Sequence, residues 1–158
     1  RLALYLLLYT GQRRSDVVRM GWSDIREGCM LAVEQMKTGT KLLIPIHPVL
    51  AQEIDQIPKE QPTFLATKKG LPFSVHVFSH SVTRWVEKCG IKERLSPHGL
   101  RKAAARRMAE AGCSPHQIAS ITGHKTLSEI ERYTRAVDQS RLARDAVLKI
   151  GRGSFTKS

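Results

Sequence analysis

Hydrophobic residues near the start of the chain recur with the spacing of helices. The apolar run over residues 2–9 predicts a helix that ends at Gly11, because glycine readily adopts the left-handed conformation that closes helices. Ser15 followed by Asp16 indicates the N-cap and acidic first turn of a second helix. Arg13 is therefore expected in the turn between these two helices.

The pattern changes to short β-prone runs between residues 22 and 46. The runs MLAVEQ and KLLIPI are separated by MKTGT, in which Gly39 suits a tight turn. This arrangement predicts an antiparallel hairpin over residues 30–46, with Lys37 near its tip.

The remaining segments return to helical spacing. Ser96 followed by Pro97 is a strong helix start, since serine caps free amides and proline suits the first helical position. His98 and Arg101 then share a helix face with small apolar residues. Further helices are expected over residues 47–57, 74–89 and 114–122, through Leu127, Ile130 and Tyr133, and over 138–150, with 151–158 as a flexible tail.

Composition adds a preference for polyanionic partners. The 158 residues suit one domain, 41% are hydrophobic, and 26 Lys and Arg against 14 Asp and Glu give a net charge of +12. Such an excess attracts nucleic acid phosphates, although ribosomal and membrane-surface proteins share it. The longest apolar run falls short of the roughly 18 residues of a membrane span, so no membrane partner is expected.

Cysteine and histidine spacing argues against a metal site. Cys29, Cys89 and Cys113 are widely separated and form no CxxC pair, so neither a disulfide framework nor a zinc ribbon is predicted. His76 and His80 lie four residues apart but lack the glutamate of a HExxH motif. We expect no metal and no cofactor.

Five short motifs together are more specific than any one of them. They are TGQRRSD with Arg13, QMKTGTK with Lys37, PHGLR with His98 and Arg101, TGHKT with His124, and ERYTR with Tyr133. In this order they resemble the catalytic domain of tyrosine recombinases, the family of phage integrases and bacterial chromosome-dimer resolvases. The nine-residue step from His124 to Tyr133 is similar to that of phage integrases.

The resemblance gives each residue a role in attack on a DNA phosphate. Planar guanidinium groups bind phosphate oxygens in pairs and keep their charge, which suits Arg13 and Arg101 to stabilising the transition state. The family implies Tyr133 as the nucleophile. It also implies His98 as a proton acceptor or orienting group, and His124 as a hydrogen-bond donor to the phosphate.

Two further assignments come from the resemblance. Lys37 would be the general acid that protonates the departing 5′ oxygen, although Lys41 lies in the same hairpin and a solvated turn lysine is the ordinary alternative. Asp16 resembles the acidic residue that buttresses the active site. The chain departs from the family at residues 103–105, which are all alanine, and at Thr122, where leucine often stands. Neither departure removes a catalytic group.

The resemblance implies a mainly helical α+β fold with a small antiparallel sheet. Residues 1–158 would be the catalytic domain of a site-specific recombinase or integrase, a DNA strand transferase independent of metal and ATP, and a preceding core-binding domain would be absent. The expected partners are double-stranded DNA, three further copies on paired sites, and accessory DNA-bending proteins. The expected location is cytoplasmic, in a bacterial nucleoid or encoded by a phage.

Alternatives remain open from sequence alone. Residues 116–135 also scan as a helix-turn-helix, typical of a DNA-binding regulator, but that interpretation leaves Arg13, Lys37 and the HxxR pair unexplained. A type IB topoisomerase would share the chemistry without strand exchange. The helix over 138–150 could pack on its own domain or dock into a neighbouring protomer.

Overall fold

The computed structural model describes residues 1–93, 95–134 and 139–153. Eight α-helices, a short 3-10 helix over Trp22–Asp24 and three strands lie within these ranges. The helices are α1 (Leu2–Thr10), α2 (Arg14–Val17), α3 (Pro48–Ile54), α4 (Val75–Lys88), α5 (Pro97–Glu110), α6 (Pro115–Thr122), α7 (Leu127–Thr134) and α8 (Gln139–Gly153); the strands are β1 (Ile25–Arg26), β2 (Met30–Glu34) and β3 (Lys41–Pro45).

The sheet is an antiparallel meander in the order β1-β2-β3. In the predicted hairpin, Leu31 pairs with Ile44 and both side chains are buried, while neighbouring positions face outward, as expected for a half-buried strand. Gly39 closes the turn with φ of 64°. The expected mainly helical α+β fold with a small antiparallel sheet is therefore confirmed.

Two apolar clusters hold the helices in place. The larger one contains Leu6, Leu31 and Phe78 and joins α1, the sheet and α4. The smaller one contains Ala105, Ile118 and Ile130 from α5, α6 and α7. Small alanine side chains on α5 let α6 and α7 approach closely. The α7 helix, which carries Tyr133, is thereby fixed against α5, which carries Arg101.

Several predicted boundaries are corrected. The α2 helix begins at Arg14 after an extended Arg13, and Ser15 is not its N-cap. The Asp16 and Val17 amides bond to Arg13 O at 2.9 and 3.0 Å, so the helix opens two residues before the predicted cap. Asp16 is buried and accepts a hydrogen bond from the distant Met36 amide at 2.9 Å. This helix ends at Val17.

Later elements differ from prediction at their ends. The α3 helix ends at Ile54 instead of residue 57, and Ile57 instead makes a turn hydrogen bond to Ile54 O at 2.9 Å. The α8 helix spans Gln139–Gly153, so it continues past the predicted end at 150 into the expected tail. Residue 138, where it was predicted to start, and residues 154–158 of that tail lie outside the described residues.

Candidate active site

Arg101 lies at the centre of the site. The Ser96 hydroxyl caps α5 by accepting the Gly99 amide at 3.1 Å, and Arg101 follows in the next turn with its side chain 3% exposed. Its Nη1 donates to Gly11 O at 2.7 Å, whereas Nη2 is buried and has no hydrogen-bond acceptor among the described residues. A buried guanidinium with an unused donor is an incomplete arrangement that an anion would complete.

A second guanidinium lies beside the first. Burial and, after it, the positive charge of Arg13 lower the pKa of Arg101 to about 10, although Asp16 and Tyr133 act in the opposite direction. Arg101 therefore stays charged at neutral pH. Two like charges are held close together at a cost in repulsion that a bound phosphate would remove.

Arg13 is positioned by a residue that the sequence analysis did not single out. Its Nη1 donates to Gln35 Oε1 at 3.0 Å. Gln35 is fully buried, and its Oε1 also accepts from the Thr38 hydroxyl at 2.8 Å. Its Nε2 donates to Gln12 Oε1 at 2.6 Å and to Thr122 O at 2.8 Å. Every hydrogen-bonding position of this amide is used.

The Gln35 amide therefore links three of the five motifs. It joins Arg13, the hairpin turn that carries Lys37, and the turn that precedes His124. The glycine of the TGH motif is required for this approach, since a Cβ at Gly123 would lie 2.5 Å from Gln35 Nε2, and its φ is 69°. A glutamine ending a β-prone run gives no sequence signal of this role.

His124 is half-buried in this turn. Its Nδ1 lies 2.6 Å from Thr122 Oγ1. Burial, followed by the charge of Arg101, lowers the pKa of His124 to about 4, so the imidazole is neutral at pH 7. His98 also contributes to this lowering. His124 thus lies within the electrostatic range of both arginines and of His98.

His98 is exposed at the first turn of α5. Partial burial lowers its pKa, and the charges of Lys102, Arg101 and Arg13 lower it further. A neutral imidazole beside cations can accept a proton. His98 lies one helical turn before Arg101, so a proton acceptor is near the arginine pair.

Tyr133 lies against the smaller apolar cluster and is half-buried. Its ring centroid is 6.3 Å from that of His124, and its charge would raise the pKa of Arg101. The structure therefore brings together Arg13, His98, Arg101, His124 and Tyr133 from four separate segments.

Lys37 is placed differently. It lies in the hairpin turn as predicted, but its side chain is exposed, and within the described ranges no hydrogen bond or ion pair holds it. The hairpin itself is fixed next to the arginines, because Asp16 Oδ1 accepts the Met36 amide at 2.9 Å. Asp16 Oδ2 is buried and has no hydrogen-bond donor among the residues that the structure describes. Asp16 thus links the helix after Arg13 to the segment before Lys37.

Other candidate features lie apart from this site. The Nε2 atoms of His76 and His80 are 3.1 Å apart, and no group of three metal-ligating side chains occurs among the described residues. No helix in the described ranges has the length and apolar character needed to cross a bilayer.

Comparison with known proteins identifies the family of this chain. The phage integrase family matches residues 1–140, which is most of the chain. The chain belongs to the phage integrase family. The predicted resemblance to tyrosine recombinases is thereby confirmed.

Two curated relatives illustrate the similarity. The chain is 33% identical over 145 residues to the integrase of Escherichia phage HK022, a match that covers 84% of this chain and 40% of the relative. It is 30% identical over 159 residues to a tyrosine recombinase of Thermosipho africanus, covering 95% and 53%. This family member therefore spans about half the length of the curated relatives it matches.

Solved structures agree with the sequence matches. The fold is similar to lambda integrase (residues 75–356) in a dimer bound to a COC′ core site, with a TM-score of 0.73 and 30% identity over 85% of this chain and 51% of that chain. A lambda integrase tetramer bound to a Holliday junction has a TM-score of 0.68 and 28% identity, covering 87% and 43%. The family member described here thus shares its architecture with integrases seen on DNA.

Proposed function

We propose that this chain is the catalytic domain of a site-specific DNA recombinase that breaks and rejoins DNA through Tyr133. The observation that carries the proposal is the pair Arg13 and Arg101 beside a half-buried tyrosine, with the buried Nη2 of Arg101 lacking an acceptor among the described residues. A backbone phosphate is the anion that both guanidinium groups would bind.

The reaction is an exchange of esters. The Tyr133 oxygen attacks phosphorus, a P–O bond to tyrosine forms, and the bond from phosphorus to the 5′ oxygen breaks. The products are a 3′-phosphotyrosyl link and a free 5′ hydroxyl. The link keeps the ester energy, so a second 5′ hydroxyl can reverse the step without ATP.

The side chains of the site stabilise the negative charge that develops during attack, or accept and donate protons. Arg13 and Arg101 stabilise the extra negative charge on the nonbridging oxygens. His98, neutral because its pKa is lowered, accepts the phenol proton or orients the phosphate. His124 donates a hydrogen bond to the phosphate. Lys37 on the hairpin turn gives a proton to the departing 5′ oxygen, and Asp16 holds that hairpin against Arg13's helix.

Double-stranded DNA is the proposed substrate, with four protomers on two paired sites and accessory DNA-bending proteins as further partners. The similarity to lambda integrase on DNA, including a tetramer on a Holliday junction, supports this assembly. A chain with this substrate would act in the cytoplasm, at bacterial or phage DNA. The net charge of +12 would strengthen its binding to the duplex.

The α8 helix is proposed to dock into a neighbouring protomer. Its apolar residues Val147 and Ile150, three positions apart on one face of the helix, are 68% and 70% exposed. An amphipathic helix with an uncovered apolar stripe usually has a partner surface. Of the two placements that the sequence left open, docking in trans is therefore favoured.

The alternatives account for less of the site. A helix-turn-helix regulator would need neither the buried arginine nor its unused donor. A type IB topoisomerase would use the same chemistry, and membership of the phage integrase family favours recombination.

The direct test is covalent trapping on a nicked duplex that contains the cognate core site. The nick lets the 5′ strand dissociate, so the link to protein accumulates. We expect a peptide carrying a 3′-phosphonucleotide on Tyr133 in the mass spectrum. A cleaved duplex with no protein attached, or a link at another side chain, would contradict the proposal.

A further inference from the structure

The hydroxyl of Thr122 has two partners in the turn before His124. It lies 2.7 Å from Ile118 O, one helical turn back in α6, and 2.6 Å from Nδ1 of His124. Thr122 is fully buried, so water does not compete for these contacts. This residue occupies the position at which the chain departs from leucine.

A hydroxyl has one hydrogen, so it can donate to only one of these partners. When the Thr122 hydroxyl donates to Ile118 O, it must accept from Nδ1–H of His124. The neutral imidazole then carries a lone pair on Nε2, the nitrogen that is left for a substrate. Neutrality is imposed by burial and by Arg101, which lower the pKa of His124 to about 4.

A proton on Nδ1 of His124 is favourable in the free protein and unfavourable when a phosphate is bound. The site around His124 contains Arg101 and Arg13, and a lone pair near two cations is favourable. A bound phosphate reverses the preference, because its oxygens need a donor on Nε2. The hydroxyl can then turn to Nδ1, since Ile118 O is an acceptor for the backbone of α6 as well.

We propose that Thr122 is a positioning residue that exchanges the tautomer of His124 when a phosphate binds. In the free protein the imidazole proton is on Nδ1 and the Thr122 hydroxyl donates to Ile118 O. In the phosphate-bound protein the hydroxyl donates to Nδ1 and the proton is on Nε2. The charge of His124 is zero in both states, and the imidazole proton exchanges through solvent. The inference rests on the proposed function only in taking a phosphate as the ligand.

The test is nitrogen-15 NMR of the His124 ring at pH 7, in the free protein and with inorganic phosphate. Long-range couplings to the ring carbons identify the protonated nitrogen. In the wild-type protein we expect a proton on Nδ1 without phosphate and on Nε2 at saturation. Binding is followed independently by the phosphorus-31 line width.

Two variants separate a tautomer effect from simple packing. Thr122→Val keeps the volume but would leave a buried Nδ1–H without an acceptor. That cost outweighs the attraction between the Nε2 lone pair and the arginines, so the imidazole proton of the variant should be on Nε2 in both conditions. Thr122→Ser keeps the hydroxyl and should repeat the wild-type exchange. A structural role alone would make the valine variant less stable without moving the proton between nitrogens.

Three results overturn the proposal. They are a proton on Nε2 in the free wild-type protein, a proton still on Nδ1 at phosphate saturation, and an unchanged tautomer exchange in Thr122→Val. The ring measurement does not depend on Tyr133. A failure to trap DNA on Tyr133 would therefore be distinguishable from a failure of the tautomer exchange.

Discussion

Arg13 donates a 3.0 Å hydrogen bond to Gln35, although the two residues are 22 positions apart in the chain. Gln35 is fully buried, so this contact fixes one guanidinium in a place that solvent does not reach freely. The same amide reaches the hairpin turn through Thr38 and the TGH turn through Thr122 O. The geometry of the arginine pair therefore depends on Gln35, which has no direct part in the proposed reaction.

The first prediction concerns Gln35→Leu. The change removes the acceptor for Arg13 and leaves two backbone or amide oxygens without a donor, so the free energy of unfolding should fall by about 1–3 kcal/mol. The rate of covalent attachment to DNA should fall by about tenfold or more, which corresponds to about 1.4 kcal/mol. Urea unfolding and adduct kinetics measure the two effects.

A matched control for this variant is Gln61→Leu. Gln61 Nε2 donates to Thr63 O and Phe64 O, in a loop away from the arginines. This change should lower stability without slowing attachment of the folded protein. Equal slowing in the two variants would refute a specific role for Gln35.

Much of the fold follows from local patterns that the sequence displays. Ser96 and Pro97 predict the start of α5, and Gly39 predicts the hairpin turn, because both depend on neighbouring residues only. The start of α2 was wrong because Arg13, which is held by the distant Gln35, accepts the first helical amides in place of Ser15. A long-range hydrogen bond leaves no trace in the local pattern.

In the candidate site, too, local motifs were predictable from the sequence and long-range contacts were not. The ordered motifs indicated Arg13, His98, Arg101, His124 and Tyr133, and these residues do lie near one another. Gln35 was missed because its role arises from burial and from partners in three separate segments. The exposed placement of Lys37 also depends on the hairpin's position, which the motif does not specify.

A second prediction tests the general acid. Lys37→Ala should slow attachment to ordinary DNA by roughly 10²–10⁴-fold, the usual range for losing a general acid. A substrate whose 5′-bridging oxygen is replaced by sulfur should restore the rate, because a thiolate leaves without a proton. Lys41→Ala is the control and should need no such rescue. If Lys41→Ala shows the rescue and Lys37→Ala does not, the roles are reversed.

A third prediction follows from the lowered pKa of His124. The folded protein binds a proton at His124 only near pH 4, whereas the unfolded chain binds it near the ordinary value of 6.5. Between these values the unfolded state holds more protons, so stability falls as pH decreases from about 7 to 4. His124 alone should account for about 2–3 kcal/mol of that loss.

Comparison with His124→Gln isolates this contribution. The variant keeps polar groups near Thr122 but does not titrate, while His98 is present in both proteins. Urea unfolding at pH 7 and pH 4.5 should show a smaller acid destabilisation in the variant. The same pH slope in both proteins would be inconsistent with a neutral, buried His124.

A fourth prediction concerns α8. Val147→Asp places a charge on the exposed apolar stripe, so it should change the free energy of unfolding by no more than about 0.5 kcal/mol. Assembly on DNA with two sites should be lost, because a carboxylate would be buried at the docking surface. Lys149→Asp changes the charge two residues away, on the opposite face of the helix, and should leave assembly intact. Native gel shifts and multi-angle light scattering measure how many protomers assemble on the DNA.

The central claim is that one phenol reacts with a phosphate held by the arginine pair. Tyr133→Phe removes the hydroxyl and keeps the ring that packs against the smaller apolar cluster, so folding and DNA binding should be unchanged. Tyr5→Phe, on α1, is the matched control. On the nicked core-site duplex, the account predicts no covalent adduct from Tyr133→Phe and normal yield from Tyr5→Phe; an adduct of wild-type yield from Tyr133→Phe would contradict it.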